Sequence, residues 1–71
     1  MEVKIDKDYL VNTLHLREDV AGKISSLKEG DKRGYYSCLA ELQDHSLADK
    51  NATVAMLCLE AKLKGKNKIE I

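Results

Sequence analysis

Proline is absent from this 71-residue chain, and glycine occurs at only four positions. Both residues interrupt helices, so their scarcity permits long uninterrupted helical segments. A chain this short buries only about 60% of its unfolded surface, which makes for a thin core. We therefore expect one small domain that spans residues 1–71.

The chain also lacks an excess of either charge, because twelve basic side chains balance twelve acidic ones. This balance argues against a strong, purely electrostatic attraction to DNA or membranes, but it is compatible with a local basic patch. No apolar run is long enough to span a bilayer, and the opening MEVKIDKDY contains no secretory signal. A cytoplasmic protein with no membrane partner is expected.

Residues that could support catalysis or bind metal are few and scattered. Cys38, Cys58, His15 and His45 show no C-x-x-C or H-x-x-x-H spacing that would anchor a metal ion. Both cysteines lie in apolar helical runs, where burial raises a thiol pKa and disfavours a nucleophilic role. No glycine-rich phosphate loop is present. The sequence predicts no enzyme activity, metal, cofactor or small-molecule substrate.

Apolar spacing predicts two helical segments in the first half of the chain. Asp6 or Asp8 can cap a helix that carries Tyr9, Leu10, Val11 and Leu14. Val20, Ile24 and Leu27 follow at spacings of four and three, which places them on one helical face. At about 100° per residue the two stripes point in different directions. Either the helix breaks near residues 15–17 or its apolar face wraps around, and we favour the break.

The second half of the chain predicts two further helices, separated by the turn formers of DHSLADKN. Gly30 is expected to end the preceding helix, and DKRG to form a charged turn. The apolar side of the third helix is expected to consist of Tyr35, Tyr36, Leu39 and Leu42, with Leu47 as a further candidate. Asp49 or Asn51 can cap the last helix, which should run to about Lys64 before Gly65 ends it.

The two termini, EVKI and KIEI, alternate as short strands do, and they could pair within one chain or between two. An isolated pair of such strands is marginal in water. The expected fold is therefore mainly α: a compact bundle of three to four helices, to which short terminal β-strands could be added.

The last helix is unusually apolar. At helical spacing it carries two apolar stripes, one consisting of Val54, Leu57, Cys58 and Ala61, the other of Ala52, Met56, Leu59 and Leu63. A helix this apolar is normally covered on most sides. Either it is the central helix of the domain, or one stripe meets a second copy or a protein partner. In the second case, the expected interface residues are Met56, Leu59 and Leu63.

Basic residues cluster in two places. Lys28, Lys32 and Arg33 surround the glycine turn beside two tyrosines, and Lys62, Lys64 and Lys66 lie at the end of the last helix. Cations can hold phosphates, and aromatic rings beside them can stack on bases. These six basic residues are therefore candidate contacts for duplex DNA. The alternative is that the lysines complement the helix dipole and the tyrosines pack in the core.

The segment DKNATVAMLCLEAKLKG resembles a stretch of the small terminase subunits of tailed phages. In that family an acidic and a basic residue lead into an alanine-rich helix that ends in a phrase of the type A-L-E-L-L-G-K-x-L-G. The matching positions of this chain are the leading pair, two leucines, a lysine and the closing glycine, namely Asp49, Lys50, Leu57, Leu59, Lys62 and Gly65.

The opening KIDKDYLVNTLHLREDVA is similar to the first helix of the same family, which often has tryptophan where Tyr9 stands. Together the two stretches cover about half of the chain. The chain departs from the pattern at Ala61, where the family has glycine, at Glu60, where an apolar residue is usual, and at Met56, where alanine is usual. The charge at position 60 changes what that face of the helix can pack against.

The resemblance implies a non-catalytic phage or prophage protein. Small terminase subunits recognise viral DNA, form rings and pass the DNA to the large ATPase-nuclease subunit. A chain of this length would correspond to the helical recognition module or to a related small phage protein. The alternative is a small regulatory or protein-interaction module that binds no nucleic acid, and the neutral net charge favours this alternative slightly.

Overall fold

Four helices and two terminal strands form the fold in the computed structural model, which describes residues 1–44 and 49–71. In chain order they are β1 (Glu2–Lys4), α1 (Lys7–Asn12), α2 (Glu18–Ser25), α3 (Lys32–Gln43), α4 (Asp49–Leu63) and β2 (Lys68–Glu70). The mainly helical class and the terminal strands are confirmed. Leu47 and His45 lie outside the described residues. Within the described ranges, no helix has the length and apolar character needed to cross a membrane.

The two strands pair antiparallel within the same chain, with Val3 opposite Ile69. Beyond the strand ends the ladder continues with the bond from the Ile5 amide to the Asn67 carbonyl, 2.8 Å long. Val3, Ile5 and Ile69 are buried, whereas the residues on either side of Val3 and Ile69 are exposed. The alternation seen in the sequence therefore directs one face of this ribbon into the core.

A break separates the first two helices, as expected from their diverging stripes. Asp6 caps α1, since its Oδ1 accepts a hydrogen bond of 2.8 Å from the Tyr9 amide. The helix ends at Asn12, and His15 adopts a positive φ of 63° before α2 begins. Leu14 and Leu16, on the connecting segment, are both buried. The break thus allows the differently directed stripes of α1 and α2 to reach one core.

The boundaries around the α2–α3 connection differ from the sequence-based expectation. Gly30 does not end α2, which stops at Ser25. The glycine, at φ +78°, instead forms a turn just before α3. The third helix starts at Lys32, inside the expected DKRG turn, because the Asp31 carboxylate accepts a hydrogen bond of 2.9 Å from the Gly34 amide and caps the helix there.

The buried side of α3 also differs in part. Leu42 is buried as expected, and Leu39 and Tyr35 pack against the core from half-buried positions. Tyr36 was expected on the same side, but 63% of its surface is exposed, and Cys38 is buried instead. Cys38 lies four residues before Leu42, so these two residues share the helical face that enters the core.

Gly65 ends α4 in the way the sequence predicts. It adopts φ +80°, its amide bonds to the Lys62 carbonyl at 3.0 Å, and the Lys66 amide bonds to the Ala61 carbonyl at 2.9 Å. This pair of bonds is the Schellman motif, which satisfies carbonyls that a helix end would otherwise leave free. At the other end, Asp49 is already helical, and the Asn51 side chain donates to the Leu14 carbonyl at 3.3 Å, so Asn51 is not the cap.

The core is built around α4, which packs against α2, α3 and β2. The largest fully buried side chains come from all four helices, and they are Leu10, Ile24, Leu59, Val20, Cys38 and Cys58. Both thiols are buried and unpaired, as expected. The covering elements approach α4 from several directions, which explains why apolar residues are spread around so much of its circumference.

Two leucines of α4 give a matched test of this packing. Replacement of the fully buried Leu59 by alanine should lower the free energy of unfolding by about 2–5 kcal/mol, because it leaves a cavity in the core. The same replacement at Leu57, which is 41% exposed, should cost much less. Urea denaturation followed by circular dichroism measures both values. Equal losses in the two variants would contradict the described packing of α4.

Candidate nucleic-acid interface

The two basic clusters, far apart in the sequence, are joined by a direct backbone contact. The Gly30 amide donates a hydrogen bond of 2.9 Å to the carbonyl of Leu63, the last residue of α4. A side chain also packs across the junction, since a Cβ atom on Gly65 would lie 2.6 Å from Oε1 of Glu29. The turn around residues 28–33 and the end of α4 therefore form one continuous part of the surface.

Five of the six predicted DNA contacts on this surface are exposed and form no ion pair within residues 1–44 and 49–71, namely Lys28, Lys32, Arg33, Lys64 and Lys66. We refer to these five residues as the basic face. Lys62 differs from them, because it is half-buried and its Nζ donates to Oδ1 of Asn67 at 3.0 Å. Lys62 therefore connects the end of α4 to the segment before β2.

Charge is distributed unevenly despite the neutral total. Residues 28–33 and 60–70 contain seven of the twelve basic side chains but only four of the twelve acidic ones. The rest of the chain carries an acidic excess. Of the four acidic residues, Glu29 packs against Gly65 at the centre of the junction, and Asp31 caps α3. The basic face is thus locally positive, with one carboxylate between its two halves.

An exposed aromatic ring lies beside the basic face. Tyr36 follows Lys32 by four residues and Arg33 by three, so the three side chains share one face of α3. Its ring packs edge-on against that of Tyr35, with centroids 5.3 Å apart. Tyr35 is half-buried, which leaves Tyr36 as the ring available to a ligand. The predicted neighbourhood of cations and aromatics is therefore present on α3.

A shallow groove of about 240 Å³ runs between α4 and β2, and sequence reasoning did not find it. Its apolar lining comes from Leu57, Ala61 and Ile69. Charged side chains of both signs surround these residues, namely Glu60, Lys64, Lys66, Lys68 and Glu70. The groove exists because the Schellman turn returns the chain along α4, which the alternation of KIEI alone does not reveal.

The predicted partner stripe is not a surface in the folded chain. Leu59 is fully buried, so the expectation that it contacts a partner is wrong for this conformation. Met56 and Leu63 are half-buried and pack against the core. The exposed leucine of α4 is Leu57, which belongs to the opposite stripe. The cause is the position of α4 between α2, α3 and β2, which covers both stripes in part.

The thiols are placed where nucleophilic chemistry is unfavourable. Burial raises the pKa of the Cys58 thiol to about 11. The pKa of Cys38 is raised as well, first by burial and then by the nearby Glu41 carboxylate. That carboxylate is held by Lys23, whose Nζ lies 2.7 Å from Oε1 of Glu41. Across the described residues, no three His, Cys, Asp or Glu side chains converge in a group that could hold a metal ion.

The chain matches no protein-family model, no curated protein and no solved structure. Its function is therefore inferred from its residues and their geometry.

The raised pKa of Cys58 predicts an alkaline loss of stability. The thiol ionises near pH 9 in the unfolded chain but only near pH 11 in the folded chain. Between these two pH values the unfolded chain releases the thiol proton while the folded chain keeps it, so rising pH favours unfolding. The free energy of unfolding should therefore fall between pH 9 and pH 11 by about 2–3 kcal/mol for this group. Urea denaturation at stepped pH measures the loss. Cys58→Ala is the control, and its curve should be flatter by that amount; parallel curves would contradict the prediction.

Proposed function

We propose that this protein is a small, non-catalytic DNA-binding protein that also self-associates, in the manner of the small terminase subunits of tailed phages. Two independent features support the proposal. The first is the resemblance of residues 49–65 and of the opening helix to that family. The second is the basic face, which is built from residues that the resemblance covers only in part.

The observation that carries the proposal is the hydrogen bond from the Gly30 amide to the Leu63 carbonyl. This bond fixes the turn that carries Lys28, Lys32 and Arg33 against the helix end that carries Lys64 and Lys66. Phosphate contacts supply most of the affinity of non-specific DNA binding, and they require several cations within reach of one backbone. The lysines at the end of α4, taken alone, would be explained by the dipole of that helix.

The charge pattern also indicates how strong the binding should be. The chain is neutral overall, so long-range attraction to DNA is weak, and binding depends on close contact by the basic face. Tyr36 adds a ring that can pack against a sugar or a base. We therefore expect moderate affinity that falls steeply with salt, because each phosphate that is neutralised releases a counterion.

The salt dependence of DNA binding tests the basic face directly. If all five cations contact phosphates, the slope of log K against log salt should be about −4.5, since each phosphate contributes about −0.9 on duplex DNA. Replacement of Lys64 and Lys66 together by glutamine should reduce the slope by about 2. Fluorescence anisotropy with a labelled duplex at 20–200 mM salt, chosen to span roughly one decade, measures this.

Lys7→Gln with Lys50→Gln is the matched control for that measurement. Both lysines are exposed, and Lys50 lies about 20 Å from Lys64 along α4 at 1.5 Å per residue. The control should keep the slope of the unaltered chain. Absence of binding to duplex DNA at low salt, or equal loss in the control, would reject the basic face as a DNA contact.

Glu29 supplies a test with the opposite sign. Its carboxylate packs against Gly65, between the two halves of the basic face, and there it repels phosphate. Glu29→Gln keeps the shape of the side chain and removes the charge, so it should raise DNA affinity by about three- to tenfold at low salt, a gain of order 1 kcal/mol. The same anisotropy assay measures the gain. A protein that binds DNA through another surface would show no such increase.

A protein-interaction module that binds no nucleic acid is the second candidate. The groove between α4 and β2 favours it, because Leu57 is exposed at a site whose charged rim contains both signs. Such a surface suits a polypeptide better than a polyanion. If DNA fails to bind at low salt while Leu57→Asp abolishes the capture of a protein partner, this second function is the correct one. A gene for a large terminase subunit next to the coding sequence would favour the first.

A further inference from the structure

The hydrogen bonds of the terminal ribbon define which backbone groups of β1 are free. The Ile71 amide bonds to the Met1 carbonyl at 2.9 Å, and the Ile5 amide bonds to the Asn67 carbonyl at 2.8 Å. In an antiparallel ladder only alternate residues bond to a given neighbour. Val3 and Ile5 therefore direct their amide and carbonyl groups towards β2, as Met1 does its carbonyl, while Glu2 and Lys4 direct theirs towards the opposite edge.

Within residues 1–44 and 49–71, no strand lies beside that opposite edge. The sheet contains two strands, and α4 packs against β2, whereas β1 has its extensive contacts, among the described elements, with β2 alone. An unpaired edge is a template for another strand. The corresponding edge of β2 is less accessible, because α4 packs against that strand and the groove lies between them.

The charges on β1 distinguish between possible partners. Within the chain, the register places like charges opposite each other, with Glu2 facing Glu70 and Lys4 facing Lys68. Such pairs are destabilising. Glu2 is relieved by a diagonal contact, in which its Oε1 lies 3.2 Å from Nζ of Lys68. Lys4 forms no ion pair in the described part of the chain.

We propose that the free edge of β1 pairs antiparallel with β1 of a second copy of this chain, centred on Val3. In this register Glu2 of each copy faces Lys4 of the other copy. Each of the two new cross-strand pairs therefore joins a negative and a positive side chain. Glu2 and Lys4 are also the residues whose amide and carbonyl groups point outwards, so each facing pair can exchange two hydrogen bonds.

The result is an isologous dimer with a four-stranded sheet in the order β2–β1–β1–β2. The buried side chains of Val3 and Ile69 anchor the ribbon to the core, so β1 is already held in the extended form that a partner strand can pair with. This two-fold contact closes as a dimer and is distinct from the head-to-tail contacts that would build a ring, and it does not depend on DNA binding.

Reciprocal charge variants test the pairing. Glu2→Lys makes β1 uniformly basic and Lys4→Glu makes it uniformly acidic, so each variant alone places like charges across the proposed interface. Each should self-associate about tenfold more weakly than the unaltered chain, which corresponds to about 1.4 kcal/mol. An equimolar mixture of the two should associate again, because every facing pair then has opposite charges. Sedimentation equilibrium at up to millimolar concentration measures the apparent mass against 8.0 kDa for one chain.

A control variant separates this effect from damage within the chain. Lys68→Gln removes the same intrachain contact that Glu2→Lys removes, but it leaves β1 unchanged, and it should still dimerise. The unaltered chain provides a second measurement that needs no variant. Hydrogen exchange followed by NMR should show protection of the Glu2 and Lys4 amides that rises with concentration, while the Val3 amide is protected at all concentrations.

A chain that stays monomeric at millimolar concentration, or a mixture that associates no better than either variant, would overturn the proposal. Concentration-dependent protection confined to other residues would also overturn it, by placing the contact elsewhere. Failure of DNA binding with recovery of association in the mixture would reject the DNA-binding part of the proposed function and leave the β1 interface supported.

Discussion

The fold depends on covering one helix. α4 carries apolar residues around most of its circumference, and a chain of 71 residues has few elements with which to shield them. Two helices and a strand pack against α4 from different directions, so that Ala55, Cys58 and Leu59 lose all contact with solvent. Burial of this surface is the main favourable term available to such a small domain. The positions of α2, α3 and β2 follow from that requirement.

The same requirement brings the basic face together. For β2 to cover α4, the chain must reverse direction at the end of the helix, and Gly65 makes this possible by adopting a positive φ within the Schellman motif. The reversal places Lys64 and Lys66 beside the turn that carries Lys28 and Lys32. The Gly30 amide then bonds to the Leu63 carbonyl and fixes the two segments together. The basic face is thus a consequence of how the helix end is capped.

Electrostatics in this molecule are local. Total charge is zero, yet two segments that meet in space hold most of the lysines, and the acidic excess lies elsewhere. The same mixture of signs occurs on a smaller scale in β1, where charges that repel across the intrachain ribbon would attract across a symmetric pair. Both proposed interactions therefore depend on which charges face each other at short range, since the chain as a whole exerts little long-range attraction.

By itself the sequence determined the features that depend on neighbouring residues. These include a cap for α1 at Asp6 or Asp8, a break near residues 15–17, the glycine at the end of α4, the alternation of the terminal segments and the burial of both thiols. Each follows from local backbone preference or from the period of apolar residues. The sequence also identified all the residues of the basic face. It misplaced the start of α3, because the cap formed by Asp31 and Gly34 competes with the turn suggested by the flanking glycines.

Only the tertiary structure decided which apolar residues are exposed and which cations lie together. Helical spacing places Leu57 and Leu59 on different stripes of α4, but both stripes are apolar, and which of the two leucines is exposed is set by the elements that cover the helix. The adjacency of the two basic clusters, the groove beside β2 and the free edge of β1 likewise arise from contacts between segments distant in the chain. Periodicity reports the face of one element, whereas exposure and proximity depend on the position of every other element.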